Sequence, residues 1–191
     1  MTDDVLRSGP FTSVNGDRSY TVDFFTDYFA SFIGNGVFPN PSTNLQVLEG
    51  GGLTLTVKKG RAWVNGQIHL GDEDTNLTLD PGDDLLPRID EVVLRVDYIN
   101  RTITKEVKKG TPAPNPVAPN LQRDNDIYEL GLANVRVNVG ATNITQSNIT
   151  DLRLNSNECG IVKGTIEEID TTTLFNQYQS WITQKKVEFD N

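Results

Sequence analysis

The chain has 191 residues, enough to bury a real core as one large domain or two small ones. It carries 17 basic against 26 acidic residues, a formal charge of -9, and its lysine pairs at 58–59, 108–109 and 185–186 are short and far apart, so nothing in it is suited to displacing the counterions of a nucleic acid. One cysteine, Cys159, excludes an internal disulfide framework. The acidic opening MTDDVLRSG predicts no secretory leader, and no stretch approaches the ~20 apolar residues of a membrane span.

The first predicted element is a helix over about 23–33. Asp23 is a suitable cap, and Phe24, Phe25, Tyr28, Phe29 and Phe32 fall on one apolar face. Gly34 and Gly36 then stop the helix, and Pro39 and Pro41 keep the chain extended. Such a helix reads more readily as a plug in a β core than as a docking surface. The period next changes from 3.6 to 2. Leu53, Leu55 and Val57 alternate with threonine and lysine, and Lys59–Gly60 is expected to turn the chain back. Ala62, Trp63 and Val64 lead into Asn65–Gly66, a strong hairpin signal, with Gln67 to Leu70 returning. The segment RIDEVVLRVDYINRTITKEV predicts a second hairpin, turning at Asn100–Arg101. Val92, Leu94, Val96 and Tyr98 share one face, with Glu91, Arg95 and Asp97 mostly on the other.

The stretch KKGTPAPNPVAPNLQRD, Lys108 to Asp124, has prolines at 112, 114, 116 and 119 and therefore forms neither a helix nor a central strand. Three readings compete: a linker, a polyproline ligand, or a long loop inside one domain. Strand patterns flank it, neither half closes a sandwich alone, and Pro116-Val-Ala-Pro119 lacks the flanking arginine of such ligands. An extended loop over 110–120 within one β-rich domain, 1–169, is the favoured reading, as an arm suited to touching a neighbouring subunit. Beyond it, Tyr128, Leu130 and Leu132 are apolar at even positions, and Val135, Val137 and Val139 at odd ones. The parity change predicts a β-bulge or strand break near Ala133–Asn134. The last segment, 170–191, predicts a carboxy-terminal helix with Leu174, Phe175, Tyr178, Trp181, Ile182 and Phe189 on one stripe. The predicted class is mainly β: a β-sandwich-like domain with a helix at each end.

Chemistry is thinly represented. Asp72, Asp74 and Asn76 match the first three ligand positions of a calcium loop and Asp83 the last, but Leu77 stands where the sharp turn needs glycine. A solvated acidic turn is the stronger reading, so no metal or other cofactor is expected, and calcium stands only as a weak candidate at these four residues. A serine hydrolase would need His69, the only histidine, and no Gly-x-Ser-x-Gly elbow accompanies it. Cys159 reads as a small core hydrophobe rather than a nucleophile. No catalytic residue is expected.

The segments FTSVNGDRSYTVDFFTDYFASFIGNGVFPNPSTNLQV, GRAWVNG, RIDEVVLRVDYINRTITKEVKKGTPAPNPVAPNLQRDNDIYELGLANV and ITQSNITDLRLNSNECGIV resemble, in the same order, a family of baseplate (tail-tip) proteins of long-tailed phages and prophages of Gram-positive bacteria. The resemblance covers about Gly9 to Ile169. It implies a virion structural protein of the tail tip, made in the host cytoplasm, whose partners are other tail proteins and copies of itself in a trimer or hexamer. It also implies a β-sandwich similar to the shoulder domain of lactococcal phage receptor-binding proteins and to the amino-terminal region of the upper baseplate protein. The family offers no catalytic residues to carry over. No receptor-binding head is recognisable after the terminal helix, so a scaffold or adaptor of the host-adsorption apparatus is expected. The alternative is a host-saccharide module using aromatics such as Trp63 or Tyr98. Tyr178, Trp181 and Phe189 are the candidate interface residues.

Overall fold

Thr21, not Asp23, caps the first helix in the computed structural model, which describes residues 9–164. Thr21 lies in extended backbone and its Oγ1 accepts the Phe24 N–H at 3.4 Å, while Asp23 falls in the first turn, where its charge suits the helix dipole. Helix α1 runs over Val22–Ala30 and ends before its expected boundary. The Ser31 hydroxyl donates to the Tyr28 carbonyl at 2.7 Å, and the Ile33 N–H bonds the Phe29 carbonyl at 3.0 Å, which closes the last turn. The predicted carboxy-terminal helix over 170–191, with Tyr178, Trp181 and Phe189, lies outside the described residues.

Apart from a short 3-10 turn at Gln146–Asn148, the other regular elements of the described chain are strands. Ten strands follow: β1 (Gly36–Val37), β2 (Val47–Glu49), β3 (Thr54–Val57), β4 (Gly60–Val64), β5 (Gln67–Gly71), β6 (Thr75–Thr78), β7 (Arg88–Asp97), β8 (Thr102–Lys108), β9 (Ile127–Val137) and β10 (Ile149–Asp151). They form three antiparallel sheets, ordered β1-β4-β5, β2-β3-β6 and β10-β9-β7-β8. The class is mainly β, as the alternating patterns predict. Val37, Val47, Leu55, Val64, Leu94 and Leu132 bring all three sheets into one buried cluster, a sandwich-like arrangement.

Two hairpins sit where their turn residues predict. Asn65 and Gly66 both have positive φ, 46° and 82°, and join β4 to β5 with Val64 opposite Gln67. Arg101, at φ 55°, lies in the turn between β7 and β8. Lys59–Gly60, by contrast, does not fold the chain back. β3 and β4 belong to different sheets, and the chain passes extended from one to the other. Here Gly60 is required by close approach, since a Cβ would lie 2.6 Å from the Leu45 nitrogen.

The predicted irregularity in β9 is a bulge. Val92 pairs with Ala133 and Val93 with Gly131, leaving Leu132 as the extra residue. It falls just ahead of Ala133–Asn134 and absorbs the parity change, so that Leu130, Leu132, Val135 and Val137 are all buried.

The Pro-rich stretch now has a topological reason. β8 and β9 are both antiparallel to β7 and lie on its two sides, so they run parallel to each other. Parallel strands cannot be joined by a tight turn and need a crossover of about a dozen residues or more. Residues 109–126 are that crossover, laid extended across β7 instead of wound into a helix. It is tied to the sheet along its length: Gly110 N–H to Asp90 at 2.8 Å, Ala113 N–H to the Pro87 carbonyl at 3.0 Å, and the Asn120 carbonyl to Lys108 Nζ at 2.6 Å.

Candidate functional site

The acidic residues of the calcium-loop pattern are engaged elsewhere. Asp74 Oδ2 accepts from Lys58 Nζ at 2.5 Å and Oδ1 from the Lys59 N–H at 2.7 Å; these bonds, the Lys58 side chain first, hold its pKa below the ordinary value. Asn76 Oδ1 accepts from the Thr56 hydroxyl across the β3–β6 pair at 3.0 Å. Asp83 Oδ1 accepts the Leu85 and Leu86 N–H groups, both at 2.9 Å, which lowers its pKa. Asp72 lines a groove with Asn40, Lys58 and Arg61. Among the described residues no three His, Cys, Asp or Glu side chains gather as a metal group. The spacing of Asp72, Asp74, Asn76 and Asp83 therefore does not form a calcium loop: β6 runs straight where Leu77 stands, and such a loop needs a sharp turn there.

Buried charge is concentrated on the four-stranded sheet. Arg88 is 1% exposed; its Nε bonds both Asp90 oxygens at 2.9 and 3.1 Å, and its Nη1 and Nη2 bond the Pro81 and Asp80 carbonyls at 2.7 and 2.5 Å. Glu129 is fully buried and accepts from Arg95 Nη1 at 2.8 Å, Lys108 Nζ at 2.6 Å and the Gln122 N–H at 2.6 Å. It thereby clasps the end of the crossover to β7 and β8. Arg153 bonds Asp151 and the carbonyls of Ser42 and Asn44 at 2.9 and 2.7 Å. Arg123 bonds the carbonyls of Asn157 and Glu158 at 2.9 and 2.7 Å. Each of these arginines joins stretches of its own main chain.

Glu91 is the exception. It is 1% exposed, and its Oε2 has no partner among the described residues. Burial first, then the nearby Glu158 carboxylate, raises its pKa to about 7. Gly131 makes room for it, since a Cβ there would stand 2.5 Å from Glu91 Oε1, and Glu158 and Leu152 close over the same position. Alternation placed Glu91 opposite the Val92 face correctly, but that second face is covered too, and Val93 is also fully buried.

The remaining reactive candidates are embedded. Cys159 is a core residue whose thiol is pushed by burial up to about 12. His69 sits on β5; burial and then Lys105 lower its pKa, and its Nε2 is buried without a partner among the described residues. Trp63 is 9% exposed and lies edge-on to Phe29 at 6.0 Å, so it forms no open stacking platform for a sugar. Tyr98 accepts a hydrogen bond from Asn65 Nδ2 at 2.8 Å and lines a groove of about 570 Å³ with Val22, Gln67, Arg101 and Ile103.

That groove adjoins the most unusual surface of the molecule. α1 buries none of its residues completely. Thr26 packs on Gly66 and Phe29 on Trp63, which seats the helix on the β4–β5 hairpin. Phe25, Tyr28 and Phe32 are 42%, 45% and 37% exposed; the Tyr28 and Phe32 ring centroids are 5.2 Å apart, and Phe25 meets the Phe24 ring edge-on at 5.5 Å. The expected plug of the β core is instead an aromatic strip on the outside. No motif beyond the spacing of these rings marks it, and the spacing alone does not say which side faces the protein.

Comparison with protein-family models, with curated proteins and with solved structures found no match. Among the described residues no helix is long and apolar enough to cross a membrane.

Proposed function

We propose that the chain is a non-enzymatic structural component of a phage tail tip, a scaffold or adaptor that joins other baseplate proteins and copies of itself. The observation that carries this reading is where the segments resembling tail-tip proteins fall. GRAWVNG is β4 with its turn, the RIDEVV stretch is the β7–β8 hairpin, and the Pro-rich stretch is the crossover into β9. Their conspicuous charges, Arg88, Asp90, Arg123 and Glu129, bind their own main chain or one another. The charges of these segments are thus committed to holding the fold together, which suits a structural part. A part that transmits load between neighbours needs a body held in that way.

The test is localisation. Antibody raised against the purified protein is applied to tailed particles induced from the bacterium that encodes it, and viewed by electron microscopy. Label at the distal end of the tail supports the proposal. Complete particles that stay unlabelled while free protein is bound would remove it.

A further inference from the structure

We propose that Asn15 is a site of covalent modification, at which the exposed Asn15–Gly16 turn loses ammonia and becomes aspartate or isoaspartate while the chain stays folded. The inference is independent of the tail-tip role.

The sequence contains three Asn-Gly pairs, at 15–16, 35–36 and 65–66. Asparagine is thermally labile, and most so before glycine, which puts no side chain between the main-chain nitrogen and the amide. In the reaction the glycine nitrogen attacks the asparagine Cγ. The N–Cγ bond forms, the Cγ–Nδ2 bond breaks, and the amide departs as ammonia with the proton that the glycine nitrogen gives up. Water then opens the resulting cyclic imide at either carbonyl, giving aspartate or isoaspartate; nothing is oxidised or reduced. The step needs a side-chain amide free to rotate and a glycine nitrogen open to approach at about 3–3.5 Å.

Two of the three pairs are held away from that geometry. Both polar atoms of the Asn35 side chain are engaged: Oδ1 accepts the Asn65 N–H at 2.6 Å and Nδ2 donates to the Tyr128 hydroxyl at 3.1 Å. Gly36 is buried in β1, opposite Trp63, where a Cβ would strike Gly160 and Ile161. Asn65 donates through Nδ2 to the Tyr98 hydroxyl at 2.8 Å. Gly66 is buried at the end of the β4–β5 ladder, where a Cβ would strike Thr26. In both pairs the leaving amide is tied to a tyrosine.

Asn15–Gly16 has neither restraint. Its backbone matches the Asn65 turn, with φ 56° and 79° against 46° and 82°, so the two turns differ in their surroundings. Asn15 is exposed, and its side chain has no hydrogen-bond partner among the described residues. Gly16 is exposed too, with nothing within 4 Å of where a Cβ would stand. One long main-chain bond closes the turn, Asp17 N–H to the Val14 carbonyl at 3.3 Å, with the Val14 N–H on Asp17 Oδ1 at 2.7 Å. Isoaspartate would add a methylene to the main chain here. The same loop sets its Phe11 N–H on the Tyr20 hydroxyl at 2.6 Å, and the Tyr20 ring packs on Phe24 of α1. The modification therefore falls on the segment that leads into the helix.

The test is peptide mapping by mass spectrometry of the full chain held in mildly alkaline buffer, both folded and in urea. In the folded chain, conversion at Asn15 is expected to run about tenfold faster than at Asn35 or Asn65, and in urea the three rates should converge. Tyr98→Phe releases the Asn65 amide and is expected to speed conversion there without changing Asn15. Equal rates at the three sites in the folded chain overturn the proposal, as does an Asn15 that converts only in urea. A gap that persists in urea would place the difference in the local sequence and overturn it too. An unchanged Asn65 rate in Tyr98→Phe removes the tyrosine bond as the cause of the contrast.

Discussion

The four-stranded sheet and the helix that precedes it solve opposite problems. On the sheet, charged side chains are buried: Arg88, Asp90, Glu91 and Glu129 are each at most 1% exposed. On α1, rings that would ordinarily seek a core stand in the open. The buried charges, Glu91 aside, are tolerable because opposite charges, carbonyls and N–H groups meet them from nearby residues or across a strand pair, fixed once the sheet forms. The rings of α1 have no such local answer. Buried charge here is answered within the sheet, whereas the rings of α1 remain at the surface.

The contrast is sharpened by removing partners on the sheet. Arg88→Ala leaves Asp90 buried without its cation and two carbonyls unpaired, and is expected to lower stability by about 3–5 kcal/mol, read from the urea midpoint. A loss no larger than that of an ordinary surface substitution would mean that water replaces the guanidinium. Glu129→Gln should follow at about 2–4 kcal/mol, because Arg95 and Lys108 lose their shared anion but keep a path to solvent. In the same variant the crossover amides, 110–124, should exchange faster than those of β7, since Glu129 is the clasp at Gln122.

Glu91 breaks the pattern and therefore tests it. In the folded chain it keeps its proton to about pH 7, whereas the unfolded chain releases it near 4.5. Between these values the folded state binds more protons, so this group's contribution to stability falls as pH rises, and the full penalty applies above pH 7. Glu91→Gln is expected to stabilise the protein by about 2 kcal/mol at pH 8 and to have little effect at pH 4.5, seen by thermal melts at both values. A pH-independent effect would place the carboxyl in contact with solvent. At the small end, Lys109→Ala removes an ion pair with Asp80 in which both side chains are more than half exposed, and the urea midpoint should not move measurably.

The sequence made the ladder legible and the covering illegible. Asn65–Gly66 and the runs on either side of Asn100 specify hairpins because the turn chemistry is local, and the parity change in β9 specifies a bulge because register is counted residue by residue. What covers a face is not local. Glu91 and Val93 read as the second face of β7, and only residues 152–160, far along the chain, determine that this face is closed. Lys59–Gly60 reads as a turn because glycine commonly supplies one, whereas Asn44 and Leu45 need the missing side chain for close packing. The calcium pattern failed for a related reason: oxygens at the right intervals were already accepting hydrogen bonds from Lys58, Lys59 and Thr56. The aromatic spacing of α1 predicted a face correctly, but not the side on which the rest of the protein lies.

Because β8 and β9 flank β7 from opposite sides, the sheet has an order of assembly written into it. β7 meets β8 across a short turn, a contact that costs little chain entropy, while β9 reaches β7 only after the whole crossover has been laid down. Prolines at 112, 114, 116 and 119 restrict the unfolded chain over that span, so less freedom remains to be lost when the distant edge closes. Pulse-labelled exchange during refolding should accordingly find the β7–β8 amides protected before those of β9. The strand carrying Glu129, and with it the lock on the crossover, arrives last.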